Sequence, residues 1–228
     1  KLGFIFFSIL MGISLTIKHT LIVFPIWIAI KEKKFLKKII IVAVPLFIFF
    51  MSFILFDNSY NIIFDYILGY VGSNENAAFW KLFTPLHLGT YIGYKNLFFI
   101  SLVLLGLFLD KENKIKTFYL YLISVVLLSN HLANQYLAIP VLAIAYFWNR
   151  FYLLYTISCC LFFLVDFVAL DLVFFQDLIG WTRNSTRIGY KIIILFLALG
   201  FLETIISKEK LNYYIKIIFY TFLKKIKK

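Results

Sequence analysis

Apolar residues in this chain come in unbroken blocks, not in alternation. The stretch "IIIVAVPLFIFFMSFILF" at 39–56 has no period-two pattern, so it reads as helix and not as a barrel strand. Similar blocks fall at 3–30, 39–56, 97–109, 117–129, 136–148, 151–170 and 190–206. Lipid offers no hydrogen-bond partners, so each block must satisfy its own backbone as a helix. The expected fold class is all-α: a polytopic integral membrane helical bundle of about seven transmembrane segments, with short interfacial helices in the outer loops. Segments 117–129 and 136–148 are short, at ~20 Å of helix against a hydrocarbon core of ~30 Å. They need flanking helical residues or a protein-lined cavity to complete a crossing. Segment 3–30 has the opposite difficulty, since ~42 Å of helix exceeds one straight crossing. A tilt, or a break near Lys18-His19-Thr20, is expected there.

Composition supports the membrane reading. The chain is 63% hydrophobic and only 15% charged, with a mean hydropathy of +0.92, outside the range of soluble domains. The net charge of +12 follows the loops. Regions 31–38, 110–116, 149–150 and 207–228 hold 5, 3, 1 and 7 Lys or Arg, against 2, 0 and 3 in 57–96, 130–135 and 171–191. This bias places the first set in the cytoplasm and gives Lys1 an outer position, with the first segment running inward. The expected location is therefore multi-pass in the plasma (inner) membrane of a microbe. Residues 208–228 read as a basic amphipathic cytoplasmic tail on anionic lipid. Because the cations track topology and no recognition motif is present, nucleic acid is not an expected partner. Residues 1–228 read as a single membrane domain, and the absence of an initiator Met suggests the C-terminal part of a longer protein. Cys159 and Cys160 lie inside an apolar block and read as small packing residues. Trp27 and Trp148 are expected at the inner interface, and Trp80 and Trp181 in outer loops.

The sequence holds no phosphate loop, zinc pattern or serine elbow, so no metal or other cofactor is expected. What remains are polar groups at membrane depth, where desolvation makes them costly. Lys18 and His19 fall within the first apolar block. Lys18 either meets an anionic phosphate or snorkels to the inner headgroups. The stretch "SNHLANQY" sets His131 three and four residues from Asn134 and Gln135, which would share a helix face. Such a cluster either binds hydroxyls and phosphate oxygens or forms a wet outer turn. Arg183, Arg187 and Lys191 follow at spacings of four, and would form one cationic face if the last helix extends back to Arg183. They suit either a lipid-linked phosphate or ordinary lipid headgroups. Asp166 reads as lying near the outer end of its helix, and no two carboxylates are adjacent.

The stretches "IKHTLIVFPIWIAI" and "NQYLAIPVLAIAYF" resemble, in their Lys-to-Pro and Gln-Tyr-Leu-x-x-Pro patterns, the later membrane helices of GT-C type glycosyltransferases. The resemblance implies a membrane enzyme that transfers a hexosyl or mannosyl group from a polyprenyl-phosphate donor to an acceptor on the extracytoplasmic face. The acceptor would be a glycan, a lipid or a protein. Lys18 would match the embedded basic position, and Gln135, Tyr136 and Pro140 the start of a later helix. His19, His131, Asn134, Arg183 and Arg187 join the expected lipid-phosphate site by chemistry and location alone. The family's acidic first-loop residue has no counterpart here and would lie upstream. The alternatives are an envelope polysaccharide polymerase or flippase-like protein, and a non-enzymatic transporter or scaffold.

Overall fold

The computed structural model describes residues 2–17, 21–55, 79–80, 93–109, 113–129, 134–166, 170–180 and 182–206, with backbone alone at 2, 55, 95, 114, 134, 135, 183 and 184. Every regular element among them is helical. In chain order these are α1 (Leu2–Ile17), α2 (Phe24–Lys31), α3 (Phe35–Leu55), α4 (Tyr94–Phe108), α5 (Lys114–Leu128), a 3-10 turn (Asn134–Ala138), α6 (Val141–Tyr146), α7 (Arg150–Val165), α8 (Val173–Ile179) and α9 (Arg183–Ile205). The chain forms two compact units, Lys1–Tyr136 and Leu137–Lys228. Among the described residues, two helices, Phe35–Ile54 and Ser185–Ile205, are long and apolar enough to cross a membrane. Exposed Ile5, Phe6, Leu10, Ile13 and Ile17 on α1, and Ile188, Ile192, Leu195 and Leu202 on α9, give both units apolar faces suited to lipid.

In the first unit, block 3–30 divides into α1 and α2, with Pro25 in the first turn of α2, where its missing N–H costs nothing. The direction of α1 follows from two contacts with α3. Lys37 Nζ lies 5.2 Å from the Phe4 ring centroid, and a Cβ on Gly12 would stand 2.8 Å from Ile48 Cβ. Both pairs advance together, so α1 and α3 run parallel. Since residues 32–34 join α2 directly to the start of α3, the chain reverses between α1 and α2, and α2 returns toward the end at which α1 began. The expected inward run from an outer Lys1 is thereby corrected. The N-terminal end of α1 lies at the same end of the unit as the basic turn 31–38, because block 3–30 is a helix and a returning half-helix, not one crossing.

Trp27 is likewise corrected from an interfacial to a core position, at 0% exposure. Its indole N–H donates to the Leu102 carbonyl at 2.8 Å, its ring meets Tyr121 edge-on at 5.1 Å, and its face rests on Gly106 of α4. Gly106 permits this because any Cβ there would come within 2.8 Å of the indole. Helix α5 begins at Asn113, whose side-chain oxygen accepts from the N–H groups of Ile115 and Lys116. At its far end the Trp80 indole N–H donates to the Leu128 carbonyl at 2.8 Å, satisfying one of the last carbonyls of the helix.

In the second unit α7 and α9 pack along one another, with α8 against α7. Asn149 caps α7 by accepting from Tyr152 N–H at 3.0 Å. Thr182 and Ser185 form a reciprocal capping box for α9. This box carries the helix back to Arg183. The expected segment 136–148 is divided between the 3-10 turn and the six-residue α6, so it is not a continuous helix. Tyr155, fully buried, donates its hydroxyl to the Leu137 carbonyl at 2.6 Å and fixes the end of that turn on α7. Cys159 is buried as expected of a packing residue, whereas Cys160 is exposed.

Candidate functional site

The residues expected from sequence to form a lipid-phosphate site are only partly described. Lys18, His19 and His131 lie outside the described residues. Asn134 and Gln135 open the 3-10 turn, and the half-buried Tyr136 follows them in it. Pro140, buried, serves as the N-cap of α6. Arg183, Arg187 and Lys191 occupy one continuous helix, as their register requires, and Arg187 and Lys191 are exposed.

The concave site of the second unit is elsewhere. A cavity of about 370 Å³ lies among α7, α8 and α9, lined almost wholly by apolar side chains including Leu161, Phe162, Phe175, Ile192 and Ile193, with Ser158 at its wall. Its volume falls in the range of about 300–1,000 Å³ typical of ligand pockets. On α9 the lining residues are Gly189, Ile192 and Ile193. At 3.6 residues per turn, positions 187 and 191 point roughly 150–170° away from that stripe. The cations therefore face away from the cavity.

Beside the cavity, Asp166, Gln176 and Tyr190 neighbour the lining residues Val165, Phe175 and Gly189 in sequence but do not themselves line it, and all three are buried. Asp166 ends α7 at 2% exposure, its backbone N–H bonded to Phe162. Its carboxyl lies within electrostatic reach of Tyr190, whose buried ring packs on Phe162 at 4.8 Å between centroids. Gln176 donates through Nε2 to the Val165 carbonyl at 2.9 Å and to Asp171 Oδ1 at 2.7 Å. Asp171 adopts a positive φ of 50°, a left-handed conformation that Asp tolerates better than most residues. The backbone N–H groups of Leu170 and Leu172 bond back to the carbonyls of Phe163 and Leu164, so the chain doubles against the end of α7. The arrangement is a buried polar cluster that ties the segment after α7 back onto the helix end, beside a cavity whose own lining is apolar.

Sequence reading missed these three residues, because it sought paired carboxylates and cationic clusters. The signal was a lone Gln inside "DLVFFQDLIG", a polar side chain with no solvent-facing partner at helical spacing. Gln176→Leu is expected to cost about 1–3 kcal/mol, since the buried Val165 carbonyl at the helix end loses its donor. Unfolding of the purified variant in detergent measures this, and a cost below the low end of that range would show that another donor replaces the amide.

The described protein is thus an all-helical chain with two helices of membrane length and an apolar chamber in its second unit. Comparison with protein-family models, with curated proteins and with solved structures finds no match to it.

Proposed function

We propose that this chain belongs to a multi-pass membrane glycosyltransferase that moves a hexosyl-type sugar from a polyprenyl-phosphate donor to an acceptor on the extracytoplasmic face. The observation that carries the reading is the apolar cavity of the second unit. A polyprenyl chain needs apolar walls, and the side chains of α7, α8 and α9 that line the cavity supply them. The Lys18 and Gln135-Tyr136-Pro140 resemblance supports the same class. About seven crossings, with the basic tail 208–228 in the cytoplasm, follow from the apolar blocks and loop charges.

The test is transfer from a radiolabelled polyprenyl-phosphate sugar in proteoliposomes holding the whole protein. Ile192→Trp, which fills the cavity, should raise the KM for the lipid donor, while Lys18→Ala and Gln135→Ala should lower kcat/KM. Each loss is expected to be about tenfold or more, equivalent to roughly 1.4 kcal/mol at the transition state. Transfer that is absent, or indifferent to all three changes, would remove the assignment. A flippase or transporter is the second reading, favoured by the helix reversal between α1 and α2, since interrupted spans are a feature of transporter cores. It predicts movement of the lipid-linked sugar between leaflets with no glycosidic bond broken.

A further inference from the structure

Helix α8 is inverted relative to a surface helix of a soluble protein. Its one buried side chain is the polar Gln176, at 7% exposure, while Phe174 and Leu178 are exposed at 73% and 69%. At 3.6 residues per turn Phe174 and Leu178 share a face directed away from Gln176, and exposed Leu170, Leu172 and Val173 precede them. Water would hydrate none of these groups favourably, and turning the helix over would bury them at the expense of Gln176. The bonds from Gln176 to Val165 and Asp171 hold the observed orientation.

Position limits what can cover this face. Ile179 is four residues from Arg183, so α8 ends within about 14 Å of the start of the membrane-length helix α9. The same unit carries further exposed apolar side chains on α7 (Leu154, Ile157) and α9 (Ile188, Leu195) outside the cavity lining. Phe175 and Ile179, on another side of the same helix, line the cavity.

We propose that α8 lies in the bilayer interface with Phe174 and Leu178 among lipid acyl chains, so that it forms the wall between the leaflet and the cavity. The occupant of the exposed face is lipid. This placement rests on α9 crossing the membrane and is independent of whether the protein transfers a sugar.

Nitroxide labels at Phe174→Cys, Leu178→Cys and Asp177→Cys test it in the full chain with Cys159→Ala and Cys160→Ala. The protein is reconstituted in phosphatidylethanolamine and phosphatidylglycerol vesicles. Collision rates are compared for oxygen, which partitions into lipid, and a neutral nickel chelate, which stays in water. Oxygen should dominate at 174 and 178, and nickel at the flanking exposed position 177. All three positions are exposed, so the labels disturb no core packing. Nickel access at 174 and 178 equal to that at 177 would overturn the proposal by placing the face in water. Low rates for both reagents would overturn it by showing that protein, such as a second copy of the chain, covers the face. Quenching of a bimane at 174 by lipids brominated along the acyl chain gives an independent depth, and no quenching counts against the proposal.

Discussion

Trp27→Ala should lower the unfolding free energy of the protein by about 3 kcal/mol, the low end of the roughly 3–5 kcal/mol seen for such truncations in soluble cores. The low end applies because lipid tails solvate an apolar side chain as well as a protein interior does. Transfer from water contributes little, and lost packing carries the cost. The packing at stake is large. Trp27 is the largest fully buried side chain, rests on Gly106 and meets Tyr121, whose hydroxyl lies against the backbone of Val23 and Phe24 at the start of α2. An alanine leaves a void bounded by a glycine, which has no side chain to move into it. Trp27→Phe separates the contributions, because it keeps an aromatic ring but removes the N–H bonded to Leu102, and it should cost less than the alanine change, near a hydrogen bond's worth of about 0.5–1.5 kcal/mol. Denaturant titration in mixed micelles reads both. A loss under about 1 kcal/mol for Trp27→Ala would mean that α2 is held without its indole.

Gly200→Val should separate α7 from α9. A Cβ at Gly200 would stand 2.4 Å from Cδ1 and Cε1 of Tyr152, closer than any real contact. Tyr152 cannot yield easily, since it is fully buried and its hydroxyl accepts from Thr204 Oγ1 at 3.2 Å. Asn149 binds the same neighbourhood, donating to the Gly200 carbonyl at 3.0 Å. Overpacking of this kind costs about 1–3 kcal/mol, and two added methyl groups put valine at the upper end. The readout is the buried Cys159 thiol in a Cys160→Ser background, which should become markedly more reactive to maleimide in the variant. Unchanged labelling would show that the helices accommodate the side chain. A compensating Tyr152→Leu should restore protection, which a general folding defect would not permit.

The helices were legible because apolar blocks flanked by polar caps such as Asn113, Asn149 and Thr182 define their own limits. Direction was harder to read. The Lys18-His19-Thr20 step marks a break in block 3–30, where α1 ends at Ile17, but only the contacts Phe4 with Lys37 and Gly12 with Ile48 reveal that its second part turns back. Hydropathy registers length, whereas a reversal depends on which helix offers a glycine or an aromatic pocket to the next. The same reason hid the buried polar cluster. Asp166 and Gln176 are ordinary in sequence, and come together only when the doubled chain after α7 brings Gln176 onto the Val165 carbonyl. Arg187 and Lys191 were correctly read as sharing a face, but register alone does not say what that face meets.

The half-helix α2 also has a history during synthesis. It is eight residues long, too short to be held across a bilayer by its own length, and Trp27 finds its carbonyl partner 75 residues later in the chain. At about 5–20 residues per second, the ribosome supplies Leu102 roughly 4–15 s after Trp27. For that interval the indole has neither Gly106 nor Tyr121 to rest on, and of the helices already made it is α3 that α2 packs against until α4 and α5 arrive to close over it.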